Sequence, residues 1–268
     1  MPDAPPCWNT DYRMRPPAPG LRSELIEAAW NHGYRLERGE ADGWLYFASD
    51  IDVPGEIGLA VTVGGNGWFL AVEHAGVSTE LAAPRAEPVP IGKRAAFGFF
   101  DQTALREALH RVYDLSRSLP TAPFYEFQAE TEGLGATEAD AVARRRIGQD
   151  VFRRALLRYW RGRCPLTGIG DSALLRASHI VAWADCASDV ERLDVHNGLL
   201  LAAHWDAAFD AGLVSFADNG TPLVKPGLSP AAAALFDPRS VPALDLTPDH
   251  QSRLARHRSQ FGFAATKA

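Results

Sequence analysis

Between Leu174 and Phe216 the chain gathers an imidazole, an amide and two carboxylates within a few dozen residues. His179 lies in Ala177-Ser178-His179-Ile180, and Asn197 opens Asn197-Gly198-Leu199-Leu200-Leu201. Asp206 and Asp210 belong to His204-Trp205-Asp206-Ala207-Ala208-Phe209-Asp210. A neutral imidazole takes up a proton near neutral pH, so His179 is a candidate general base. Acids four residues apart share one helix face, where they can hold a hard divalent cation together. His204, two residues before Asp206, is a competing ligand. Each residue alone also has a structural reading: a core histidine, a turn Asn-Gly, acids at a helix start or beside an arginine.

These residues need elements to hold them. Ala173 to Trp183 reads as a strand leaving a tight turn near Gly170-Asp171, and Gly198 to Ala202 reads as a second, apolar strand. Ser188 to His196 joins them, and Trp205 to Ala211 reads as a short helix ended by Gly212. Upstream, Thr137 and Asp140 are spaced approximately as a capping box. They open a helix running to about Arg161, with Val142, Ile147, Val151, Phe152, Ala155, Leu156 and Tyr159 on or near one face. Gly162 stops it, and Cys164-Pro165-Leu166-Thr167-Gly168 is a turn.

The remainder divides by composition. Residues 1–20 carry six prolines and read as an arm. Residues 21–120 read as a small α+β domain: a helix over Leu21–His32, strands at Trp44–Phe47, Ile57–Val63 and Trp68–Val72, and a helix over Asp101–Ser118. This domain carries no constellation of chemistry-bearing residues and is a candidate target-recognition module. Residues 121–136, with Pro123, Gly133 and Gly135, read as a linker, and 137–268 as the second domain. Past Phe216, Asn219-Gly220 marks a hairpin, and helices are expected over Ser229–Phe236 and Thr247–Phe261.

Three cysteines, Cys7, Cys164 and Cys186, are too few and too far apart for a disulfide framework or a four-cysteine zinc site. No apolar run reaches the ~20 residues a bilayer crossing needs. The first residues lack the pattern of a secretion signal, so a cytoplasmic protein with no membrane partner is expected. The net charge of −6 is unfavourable for gripping nucleic acid. Against it, eight arginines (144, 145, 146, 153, 154, 158, 161 and 163) face only Glu138, Asp140 and Asp150 over 137–164. Such an excess reads either as a solvated helix face or as a surface for an anionic partner.

The order strand, loop, strand, helix, bearing His, Asn and then a ligand pair, resembles the HNH family of nucleases, more narrowly its restriction-type and modification-dependent branch. The likeness is carried by Arg146-Ile147-Gly148-Gln149-Asp150-Val151-Phe152-Arg153, Cys164–Gly168, Ala177–Ile180, Asn197–Leu201 and Phe209–Phe216, within roughly residues 140–225. The resemblance implies an α+β chain whose C-terminal half is a ββα-metal nuclease domain with flanking helices. It implies that His179 is the general base and that Asn197 pins the catalytic loop. It implies too that Asp206 and Asp210 ligate one divalent cation.

Two positions depart from the family pattern. Asp206 stands where a histidine is expected, with His204 two residues earlier, and Ser178 precedes the base where an acid or histidine is usual. An oxygen-rich site favours Mg²⁺ or Mn²⁺ over Zn²⁺. Arg145, Arg146, Gln149 and Arg153 would reach backbone phosphates. The implied activity is metal-dependent hydrolysis of double-stranded DNA, with a homodimer as the means of cutting both strands. The alternatives are a catalytically inactive DNA-binding protein of the same fold and a nuclease toxin.

Overall fold

The computed structural model describes residues 16–263 apart from Asp52 and Val63. Most of the proline-rich arm thus lies outside the described residues; its last two positions, Pro19 and Gly20, open a helix. The chain divides into two compact units, Met1–Arg117 and Ser118–Ala268. Among the described residues no helix is long and apolar enough to cross a membrane.

The first unit runs α1 (Pro19–Asn31), β1 (Leu36–Ala41), β2 (Trp44–Ala48), β3 (Ile57–Val61), β4 (Trp68–Val72), α2 (Ala75–Glu80), β5 (Arg85–Ala86), β6 (Ala95–Phe99) and α3 (Gln102–Ser118). Its strands form one antiparallel sheet in the order β1-β2-β3-β4-β6-β5. The register lines Leu45, Leu59, Leu70 and Phe97 across four strands, each buried, as the two-residue period of a strand requires. The edge strand β1 is exposed along its length, and β6 is built from alanine, glycine and phenylalanine. Neither carries the run of large apolar residues that marks β2 and β4.

The second unit begins with α4 (Ala122–Glu130) and α5 (Glu138–Tyr159). The linker expected over 121–136 is therefore largely a helix. Pro123 falls at its start, where a missing N–H costs nothing, and Phe127 is buried as α4 packs on α5. The capping box of Thr137 and Asp140 is present as expected. Then follow β7 (Leu175–His179), α6 (Asp189–Leu193), β8 (Gly198–Ala202), α7 (Ala203–Asp210), β9 (Val214–Phe216), β10 (Pro222–Val224), α8 (Pro230–Leu235) and α9 (Pro248–Gln260).

β7 and β8 pair antiparallel, with His179 opposite Gly198, and α7 packs against both strands. This is a ββα unit, and α5 also packs on the two strands. The core at its centre joins Leu175, Leu199, Leu201, Trp205, Phe209, Phe216 and Leu254. Gly198 has ordinary extended backbone, so it is not a turn glycine. It is required because a Cβ there would lie 2.5 Å from Phe152 Cζ and 2.8 Å from Leu156 Cδ1. The side chain is missing so that α5 can seat directly on the strand pair.

Two buried histidines tie α9 into this unit. His257 lies flat on Phe209, with centroids 3.9 Å apart and planes 2° from parallel. Its Nε2–H donates to the Phe209 carbonyl (3.2 Å), so Nδ1 accepts from the Ser215 hydroxyl (3.0 Å). His250 accepts from the Thr247 hydroxyl through Nδ1 (2.8 Å), while its Nε2 is buried with no hydrogen-bond partner. Burial pushes His257 down to about 4, with Arg258 adding to the effect. Burial, with His196 and Arg253 against Asp194, pushes His250 down to about 3.

Two predictions follow from this packing. Gly198→Ala should lower the unfolding free energy by about 1–3 kcal/mol, the usual cost of overfilling a tight contact, read as a lower denaturant midpoint; an unchanged midpoint would mean α5 does not seat there. For the histidines, the unfolded chain binds protons first as pH falls below 6.5. Stability should hold above that value and drop between pH 6.5 and 4, by about 2 kcal/mol per histidine at pH 5. Denaturant unfolding across that range checks it, and a flat profile would contradict the buried neutral imidazoles.

Candidate active site

His179 is the last residue of β7, and its ring is held on three sides. Phe152 of α5 stacks on it at 3.8 Å between centroids and 18° between planes. Trp183 meets it edge-on at 5.5 Å and 87°. Nε2 lies 2.9 Å from the carbonyl of Arg192. A carbonyl only accepts, so Nε2 carries the hydrogen and Nδ1 keeps its lone pair. Burial lowers the imidazole below its ordinary value, only partly offset by the bond to Arg192, so the ring is neutral at neutral pH.

The Arg192 carbonyl can fix that ring only if the loop between the strands is itself fixed. Asn197 does this from full burial. Its Oδ1 accepts from Val181 N–H (2.9 Å), and its Nδ2 donates to the carbonyls of Val181 (3.2 Å) and Glu191 (3.3 Å) and to Cys186 Sγ (3.3 Å). Its main-chain carbonyl accepts from Ile180 (2.9 Å). Arg192 gathers the same loop from inside, donating to the carbonyls of Trp183 (3.0 Å) and Cys186 (2.9 Å) and to Asp189 (2.9 Å). From outside, Arg253 of α9 bonds Asp194 and Arg256 bonds Glu191. The sequence offers Arg253 and Arg256 either as part of a DNA-facing surface or as packing at the domain's edge; they pack, and the role of all three arginines depends on the folded path of the loop.

A cavity of about 440 Å³ opens at this point. Its lining brings Arg176, Ser178, His179 and Trp183 together with Asp206 and Asp210 of α7, and with His257, Gln260 and Phe261 from the end of the chain. Trp205, Ala208 and Phe209 turn the apolar face of α7 into the core, which leaves the two aspartates on the other side. Partial desolvation and the neighbouring Asp206 charge raise the Asp210 carboxyl above its usual value. His204 is not brought to this cavity; its ring lies 6.2 Å from that of Phe236.

The donor set bears on the metal. Two carboxylates one helical turn apart share the cavity with Ser178 Oγ, which is buried and has no hydrogen-bond partner. Hard oxygen donors with room for water suit Mg²⁺ or Mn²⁺, which keep several waters when bound. Among the described residues no group of three or more histidine, cysteine or acidic side chains is placed so that it could hold a metal ion, so protein atoms would supply at most part of the coordination.

α5 supports the site through Phe152, which stacks on His179, and its arginines are less available than their number implies. Arg153 donates to the carbonyls of Leu175 (2.9 Å) and Ser172 (2.8 Å), anchoring the start of β7 rather than facing outward. Arg154 and Arg158 pair with Glu126 of α4, and Arg154 also with Glu130. Both acids lie before Thr137, outside the segment in which the arginines are in excess. Arg145, Arg146 and Gln149 are exposed. Gly148 between them leaves room for Trp183, whose Cη2 would be 2.5 Å from a Cβ there.

No curated protein matches the chain. A family model does: residues 164–217 match the HNH endonuclease family, a segment containing β7, β8, α7 and with them His179, Asn197, Asp206 and Asp210. The part of the chain that builds the cavity's imidazole and carboxylates is thus similar to an HNH endonuclease domain, of a family whose nucleases use a divalent metal ion to act on DNA.

Proposed function

We propose that this chain is a metal-dependent endonuclease that hydrolyses phosphodiester bonds of double-stranded DNA, acting in restriction. The observation carrying this reading is one cavity lined both by an imidazole with a free Nδ1 lone pair and by two carboxylates. A phosphodiester resists attack because water is a poor nucleophile and the phosphate oxygens repel it. His179 Nδ1 takes the proton as water attacks phosphorus, while the Arg192 carbonyl holds the ring in the required tautomer. Asp206 and Asp210 would hold a divalent cation, which supplies positive charge to the phosphate and to the departing oxygen.

Arg145, Arg146 and Gln149, exposed on α5, serve as backbone contacts that set register without reading bases. The first unit holds sixteen acidic and eleven basic side chains, so it adds little attraction for DNA. In this reading it selects the target rather than grips it. If each copy cuts one strand, cutting both calls for two copies.

Purified protein should nick or cut plasmid DNA in Mg²⁺ or Mn²⁺. His179→Ala should reduce the rate by about 10²–10⁴, the usual worth of a general base, and full activity in that variant would end the base assignment. The rate should rise with pH and level off, with the acid limb centred below 6.5, because the neutral ring is the active form. Asp206→Asn and Asp210→Asn should each abolish cutting while leaving the thermal midpoint nearly unchanged. Cutting that survives both would move the cation elsewhere.

A further inference from the structure

The cavity contains a cation to which the chemistry above gives no task. Arg176 lies three residues before His179 on β7, is exposed, and lines the same cavity as Asp206 and Asp210. It forms no ion pair with either aspartate or with any other described carboxylate. Two main-chain carbonyls engage it instead: Nη1 donates to Ala173 (2.9 Å) and Leu175 (3.0 Å). The Leu175 carbonyl also accepts from Arg153 of α5, so the anchor of Arg176 is itself fixed. Nε and Nη2 have no hydrogen-bond partner among the described residues.

Such an arrangement differs from an ordinary surface arginine. A guanidinium gains from pairing with a carboxylate, yet this one shares a cavity with two and is held by main-chain carbonyls instead. The group stays charged at every working pH, and its two unused edges form the planar fork that matches two oxygens of one phosphate. Fixing one nitrogen in advance reduces the freedom lost when such a bond forms. Gln260, on the same lining, is a further donor within this cavity.

We propose that Arg176 is a phosphate-gripping residue, holding the non-bridging oxygens of the backbone phosphate that His179's water attacks. This rests on the nuclease reading and adds to it a second positive charge at the phosphate, supplied by the chain itself. The guanidinium then opposes the charge that builds on phosphorus in the transition state.

The test has two arms. In the first, a fluorescein-labelled DNA duplex is titrated with His179→Ala protein, with and without Arg176→Ala or Arg176→Lys, over a series of salt concentrations without divalent metal. Arg176→Ala should weaken binding about tenfold and reduce the slope of log K against log salt by about one, the loss of one phosphate contact. Arg176→Lys should keep the slope. In the second arm, with His179 intact and Mn²⁺ present, Arg176→Ala should lower kcat about a hundredfold and KM far less, with Lys recovering part of the loss. Thermal midpoints identify any variant that has merely loosened the start of β7, and the Lys variant then decides.

An unchanged slope together with an unchanged kcat overturns the role of Arg176 while leaving the nuclease intact. Binding that depends on Arg176 in a protein that never cuts DNA supports the grip and defeats the hydrolytic reading. No binding of DNA by the unmodified protein defeats both.

Discussion

The buried amide of Asn197 stands between a loop and a site. Its oxygen and nitrogen satisfy Val181, Glu191 and Cys186, which belong to a segment with no sheet pairing of its own. That segment carries the Arg192 carbonyl, and the carbonyl decides which nitrogen of His179 bears the hydrogen. Remove the amide and several buried main-chain groups lose partners at once, at about 1–3 kcal/mol for each one left unsatisfied. The imidazole would then lose its orientation before it lost its position, since Phe152 would still lie against it. Stability and chemistry therefore rest on the same bonds.

Charge in this molecule is arranged against its own total. The chain is acidic overall, and α4 neutralises much of the arginine surface of α5. Within the second unit, Arg145 and Arg146 stay exposed on α5, and Arg176 is the arginine that lines the cavity. In the proposed reading this favours a polyanion that arrives with a cation between it and the aspartates, rather than one drawn in by broad attraction. Family similarity covers only 164–217, yet α5 and α9 complete the site from outside that segment. Phe152 stacks on the imidazole, and His257, Gln260 and Phe261 close the cavity.

Much of this was legible before any coordinates. The strands Gly198–Ala202 and Trp68–Val72, the capped start of α5 and the helix bearing Asp206 and Asp210 follow from patterns that local chemistry enforces. β1 and β6 escaped because one is a polar edge and the other is rich in small residues. α4 escaped because prolines and glycines around it resemble a linker, whereas Phe127 needed α5 beside it to count as core. Arg153 looked like a phosphate contact because a sequence does not show that two carbonyls of Ser172 and Leu175 lie within its reach. Arg176 went unnoticed for the opposite reason: only the cavity distinguishes it from a surface charge.

The central claim is that one divalent cation seats between Asp206 and Asp210, within the same cavity as His179. Titrating isotope-labelled protein with Mn²⁺ and following paramagnetic broadening of its NMR signals tests this directly. The account predicts that the signals of Ser178, His179, Asp206 and Asp210 fade first, and that Asp206→Asn with Asp210→Asn removes the effect. Broadening centred anywhere else, or unchanged in that double variant, would contradict it.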